Sequence, residues 1–97
     1  MAKVSVKLFT FLRELVGKRE VTIEFEGRKV KVGELLDRLT NLYGEEFREY
    51  VFDPVSGRIR EYLQLLVNGR NVVSLDGLDT ELKDGDIFAI IPPVGGG

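Results

Sequence analysis

An α+β domain, built as a mixed sheet of four to five strands with one main helix packed across one face, is predicted by three features of the sequence. Val4, Val6 and Leu8 alternate with Lys3, Ser5 and Lys7 near the start. Ile87 to Ile91 is an unbroken apolar run near the end, as expected of a strand covered on both faces. Between them, Val32, Leu35, Leu36, Leu39, Leu42 and Tyr43 follow the i, i+3, i+4, i+7 spacing of one helical face. A lone amphipathic helix buries its stripe by lying across a sheet, and the two most apolar strands belong at the centre of that sheet. The first and last strands are therefore expected side by side and parallel.

Each element has its own local reason. Phe9 and Phe11 fall on the face of Ser5 and Lys7, opposite the helix-covered face. Phe11, beside a short helical turn, is expected buried through a local irregularity, and Phe9 is expected exposed on the open sheet face. Leu12 to Val16 reads as a turn or short helix closed by Gly17. Val21, Ile23 and Phe25 alternate with Thr22, Glu24 and Glu26, giving a strand that pairs antiparallel with the first around Gly17-Lys18-Arg19. Glu26-Gly27 turns the chain into the main helix, Gly33 to Tyr43, with Glu34 in its first turn and Gly44 just past its end. Leu35, Leu36, Leu39 and Leu42 are its expected core residues.

From Glu45 to Tyr62 the pattern is less regular. Phe47, Tyr50, Val51 and Phe52 are placed in a helical turn under the sheet, followed by the turn Asp53-Pro54-Val55-Ser56-Gly57. Leu63 to Val67 is a strand, Asn68-Gly69 a hairpin turn of the primed type, and Val72 and Val73 are expected to pair back. Ser74 to Leu82 reads as a loop with one turn of 3₁₀ helix, and Asp84-Gly85 as the tight turn into the final strand. Strand, strand, helix, strand, short strand, strand is the order of a β-grasp, or ubiquitin-like, fold.

Composition removes most chemistries. The 97 residues suit one domain, and the chain has no cysteine and no histidine. Disulfides, thiolate nucleophiles, Cys/His metal sites and imidazole acid–base catalysis are thereby excluded. The net charge of −2 gives no reason to expect nucleic acid, and no apolar run is long enough to span a membrane. Met1-Ala2-Lys3 leads straight into a strand, so no signal peptide and a cytoplasmic location are expected. Asp84-Gly85-Asp86 and Asp53 to Gly57 read as turns, not metal sites. Acidic residues crowd the stretch before the last strand, namely Asp76, Asp79, Glu81, Asp84 and Asp86. A solvated surface accounts for most of them, and a partner with a basic surface near the tail is the functional alternative.

The end of the chain is unlike the rest. A β-grasp domain over residues 1–92 is followed by a flexible Gly-rich tail over 93–97. Pro92 and Pro93 stop the strand and favour a stiff, extended exit. After Val94, only Gly95, Gly96 and Gly97 remain, and glycine alone lacks a Cβ that would widen the arm. Fully extended, Pro92 to Gly97 reaches on the order of 20 Å, enough to enter a partner's active site. The Gly97 carboxylate is ionised at neutral pH and is a poor electrophile. It needs activation as an acyl-adenylate by a partner using ATP, since the chain has no phosphate-cradling loop of Walker type. The activated carbonyl then accepts sulfur as a thiocarboxylate or forms an amide with a lysine.

Two stretches resemble the small subunit of molybdopterin synthase, the MoaD family within the ThiS/MoaD group of ubiquitin-like sulfur carriers. They are Phe11-Leu12-Arg13-Glu14-Leu15-Val16-Gly17, and Leu82 to Asp86 continuing through Pro92-Pro93-Val94-Gly95-Gly96-Gly97, with Val67-Asn68-Gly69 a weaker third. The resemblance implies a sulfur-donor subunit that is not an enzyme on its own. Gly97 would be adenylylated by an E1-like (MoeB-like) adenylyltransferase using ATP-Mg and loaded by a sulfur donor enzyme. It would then be inserted into the large (MoaE-like) synthase subunit, where its sulfur passes to cyclic pyranopterin monophosphate. Gly95 and Gly96 would thread a narrow channel, and no cofactor would be bound by this chain itself. Phe9, Val72 and Ile91 would form an exposed apolar patch for the large subunit, joined by Pro92, Pro93 and Val94; Val72 and Ile91 rest on the resemblance. A ubiquitin-like modifier conjugated to lysines, or a sulfur donor for tRNA thiolation, starts from the same adenylate and is the alternative.

Overall fold

The computed structural model describes residues 1–93. Strand β1 (Ala2–Lys7) pairs antiparallel with β2 (Glu20–Phe25), in the register Val4↔Ile23. The last strand, β7 (Ile87–Ile91), lies beside β1 and parallel to it, Val6 facing Phe88. On its other side β7 pairs antiparallel with β4 (Gln64–Val67), which pairs in turn with the short β5 (Arg70–Asn71). The main sheet thus has five strands in the order β2-β1-β7-β4-β5, the β-grasp arrangement with first and last strands central. Val4, Val6, Ile23, Leu65, Val67, Phe88 and Ile90 all point to its buried face, because inward residues recur every second position.

Helix α2 (Val32–Tyr43) covers that face. Val32, Leu35, Leu36 and Leu39 are fully buried, and the Glu34 carboxylate accepts a hydrogen bond from the Lys31 N–H at 3.2 Å. Leu42 departs from expectation and is 54% exposed. In the last turn the covering element is α3 (Glu45–Val51), which takes Tyr43 instead: the Tyr43 and Phe47 rings lie 6.4 Å apart. Phe47 and Val51 enter the core, so the segment read as a helical turn is a two-turn helix. Asp53 closes the turn after it, its carboxylate accepting from the N–H groups of Val55 (2.8 Å) and Ser56 (3.2 Å). A further short helix, α1 (Thr10–Val16), joins β1 to β2 and ends at Gly17, whose φ of 83° is open to glycine at no steric cost.

Three local expectations change. A second sheet, β3 (Lys29–Lys31) with β6 (Glu81–Lys83), stands where turn and loop were read; it pairs the buried Val30 with the buried Leu82. Asn68 and Gly69 do form a primed turn, with φ of 50° and 84°. Val72 and Val73, however, do not pair back. The Asn71 side chain accepts from the Val73 N–H at 2.9 Å and caps a 3₁₀ turn over Val72–Ser74, which drives Val72 into the core and leaves Val73 exposed. A second 3₁₀ turn follows at Gly77–Asp79, and the buried Thr80 hydroxyl accepts from the Asp76 N–H at 3.0 Å.

Edge strand β2 is screened from outside. Arg38 of α2 donates from Nη1 to the Glu24 carbonyl at 3.2 Å, and its guanidinium lies 4.5 Å from the centre of the Phe25 ring.

Candidate functional site

The open face of the sheet and the two ends of β7 make up the site. At the start of β7 the chain is tied down by side-chain hydrogen bonds. The Asp84 carboxylate accepts from the Lys3 N–H at 2.8 Å. Asp86 accepts from the Lys83 N–H at 2.7 Å and from the Asn68 side-chain Nδ2 at 3.0 Å, and the Asn68 side-chain Oδ1 accepts from the Ile87 N–H at 2.9 Å. These carboxylates lock a turn and set the β1–β7 register. Asp79 and Glu81 pair with Lys31 and Lys29 at 3.6 and 3.4 Å. The acidic stretch also lies at the wrong end of the strand for a role at the tail, since from Asp86 to Pro92 the chain climbs about 20 Å at strand rise. Asp79, Glu81, Asp84 and Asp86 thus serve local structure, which gives no support to a partner with a basic surface near the tail.

The open face itself is apolar only along its centre. Ile87, Ala89 and Ile91 point outward from β7, with Ile87 40% exposed. Ala89 stands level with Lys7 on one side and Leu66 on the other; Ile91 stands level with Gln64. Lys3, Lys7, Glu20 and Glu24 border the stripe on β1 and β2. Phe9 follows β1 in extended conformation and is half-buried. Continuing the Lys7↔Ala89 register by two residues brings Phe9 level with Ile91. The sequence-predicted pair Phe9 and Ile91 thus share one end of the sheet. Val72 does not join them, being buried beneath β4. Leu66 and Ala89 take the place given to Val72. The signal for Leu66 was the run Leu65-Leu66-Val67, one of whose members must face outward by alternation.

Phe9 has a cationic neighbour. The Arg13 guanidinium lies 5.7 Å from the centre of its ring, a cation–π distance, and the buried Nε of Arg13 has no hydrogen-bond partner among the described residues.

Pro92 and Pro93 leave β7 half-buried at this same end. Pro93 lines a cleft of about 420 Å³ together with Thr10, Phe11, Tyr50 and Tyr62. Phe11 is not in the core: it is 39% exposed and stacks on Tyr50 with ring centres 5.0 Å apart. Helix α1 lays it against Tyr50, so the burial expected from a local irregularity is not met. Val94, Gly95, Gly96 and Gly97 lie outside the described residues. Among those described, no three His, Cys, Asp or Glu side chains come together to hold a metal ion. The Asp53 carboxyl is held below its ordinary value by the Val55 and Ser56 N–H groups and serves its own turn.

Comparison with known proteins places this geometry. The model of the ThiS family matches residues 6–97. The chain belongs to the ThiS family. Small archaeal modifier protein 3 of Haloferax volcanii is 33% identical over 95 residues, covering 98% of this chain and 99% of the relative. The solution structure of small archaeal modifier protein 1 from Methanosarcina acetivorans superposes with a TM-score of 0.79 at 38% identity, covering 100% of this chain and 98% of that one. A Pyrococcus furiosus structure assigned as molybdopterin converting factor subunit 1 superposes at 0.74 with 34% identity, covering 97% and 100%. By family the chain is a ubiquitin-like sulfur carrier. No helix among the described residues is long and apolar enough to cross a membrane.

Proposed function

We propose that this ThiS-family chain carries sulfur on Gly97 for the synthesis of molybdopterin. The observation that supports the reading best is the alignment of the apolar stripe with the point where the tail departs. Ile91 ends the stripe, and the next two residues are the prolines that lead to Gly97. A partner seated on Leu66, Ala89 and Ile91 therefore receives the tail without any change in the domain. Phe9, Pro92, Pro93 and Val94 belong to the same contact in this reading.

The chemistry takes place on partners. A Gly97 carboxylate oxygen attacks the α-phosphorus of ATP on an E1-like adenylyltransferase, and pyrophosphate leaves with its electron pair. Hydrosulfide-level sulfur from a donor enzyme attacks the acyl carbon, and AMP leaves. The product is a thiocarboxylate, charged at neutral pH, which the large synthase subunit directs at cyclic pyranopterin monophosphate. This chain contributes the carbonyl, an arm thin enough to reach the site, and the docking stripe. Gly95 and Gly96 keep that arm without side chains where a channel is narrow.

A second reading is favoured by the names of two relatives, which are modifier proteins. The same adenylate would then end in an isopeptide with a lysine, or in sulfur supplied to tRNA. One experiment separates them. The tagged chain is recovered from its native cell, its bound proteins are identified, and its C-terminal peptide is weighed. A pterin synthase subunit with a terminal oxygen replaced by sulfur supports the first reading. Gly97–lysine isopeptides without that subunit overturn it in favour of the second.

A further inference from the structure

Three aromatic side chains meet at the root of the tail from distant parts of the chain. Phe11 comes from α1, Tyr50 from α3, and Tyr62 from the stretch just before β4. Two of them are largely outside the core, Phe11 being 39% and Tyr62 53% exposed, and Tyr50 is half-buried against it, while the fully buried residues of α1 and α3 are Leu12, Phe47 and Val51. The Phe11–Tyr50 stack ties α1 to α3, and Pro93 forms a wall of the same cleft.

We propose that Phe11, Tyr50 and Tyr62 are positioning residues, an aromatic seat for Pro93 that sets the direction in which the chain leaves the domain toward Gly97. The inference rests on the reading of Gly97 as the reacting residue. Its physical basis is leverage. Proline holds φ near −65°, and Pro92 is itself confined to extended conformations by Pro93, so the backbone at this point is stiff. Gripping the Pro93 ring therefore aims the backbone that follows. The three glycines beyond Val94 have no side chain with which a partner could steer the arm. Held extended in a partner's narrow channel, the four further residues span at most about 14 Å, so a tilt of roughly 20° at Pro93 displaces the end of that extended arm by about 5 Å. Attack requires reacting atoms about 3–3.5 Å apart, so an error of that size at the root is felt at the carboxylate.

The test uses the full chain, with Phe11→Ser combined with Tyr62→Ser, Tyr62→Ser alone, and Tyr62→Phe as the conservative control. In the free protein, the Pro93 ring protons of wild type should be displaced upfield by the aromatic rings. The displacement should collapse in the double variant and persist with Tyr62→Phe. With the adenylating enzyme and ATP, kcat for the double variant should fall roughly tenfold at constant KM, because the open face still docks. Tyr62→Ser, a change at an exposed side chain, should show the same trend if the double variant does not fold. Equal Pro93 shifts in wild type and a folded variant would overturn the proposal. So would unchanged kcat, or a rise in KM at constant kcat, which would make the cleft an enzyme contact instead. Absence of loading in wild type would remove the Gly97 reading, while the Pro93 shifts would still decide the seat.

Discussion

The two ends of β7 are built on opposite principles. At its start, three side chains, Asn68, Asp84 and Asp86, make hydrogen bonds that fix strand register and turn together. At its end, Pro92 and Pro93 have no N–H to donate, and what neighbours Pro93 is aromatic surface. Hydrogen bonds are directional and suit a place that must not move. Apolar contact is non-directional, so direction at that end has to come from the shape of several rings around Pro93 and from the stiffness of two successive prolines. The difference separates stability from delivery along a single strand of five residues.

The contrast can be broken from its middle outward. Phe88 joins both ends and is fully buried, so Phe88→Ala should cost about 3–5 kcal/mol and lower the melting temperature most of all. Asp86→Ala strands the Lys83 N–H and the Asn68 amide; a loss of about 1–2 kcal/mol in chemical denaturation is expected, with sulfur loading per folded molecule unchanged. Asp53→Asn tests the exit side alone, because its turn lies between the helix bearing Tyr50 and the stretch bearing Tyr62. The Asp53 carboxyl is stabilised in its charged form by the Val55 and Ser56 N–H groups, so its pKa is depressed on folding. Its contribution is present above the ordinary value of 3.8 and is lost as pH falls through the folded value. Wild type should be slightly more stable than Asp53→Asn at neutral pH, and thermal melts should converge in acid below 3.8. The smallest effect on stability belongs to one residue added after Gly97. Melting should stay within error while loading, read as intact mass after incubation with adenylating enzyme, ATP and a sulfur source, disappears. If Asp86→Ala instead abolished loading at unchanged stability, the division between the two ends would be wrong.

Much of this architecture was legible because long elements repeat their signal. Four fully buried residues of α2 and the five-residue run of β7 each give several independent votes for one period. Strands β3 and β6 give one vote apiece, Val30 and Leu82, and a single inward residue has no period. Val72 was misplaced because its fate depends on Asn71, whose side chain competes with the strand for the Val73 N–H. Phe11 was misplaced because a local irregularity was expected to bury it, whereas α1, which begins at Thr10, lays it against Tyr50 with 39% of its surface exposed. Leu42 followed the helical period correctly, but burial also needs a covering surface, and α3 takes Tyr43 instead. Of the apolar stripe, the outward set of β7 was readable from its two-sided apolarity. That Ala89 and Leu66 stand together follows only from the β4–β7 register, which no local pattern encodes.

The Arg38 cover on β2 has a consequence for the chain as a cellular component. Any domain with an open sheet depends on protected edges to remain separate from its neighbours. Crowded β-grasp domains with a bare outer strand could add to one another edge to edge and build sheets without end. On that edge the Glu24 carbonyl already accepts a hydrogen bond from Arg38, whose guanidinium lies over the Phe25 ring. The opposite edge, β5, is two residues long and offers too short a ladder to template another chain. Edge-to-edge addition to the main sheet is thus opposed by one arginine on the helix and by the brevity of one strand.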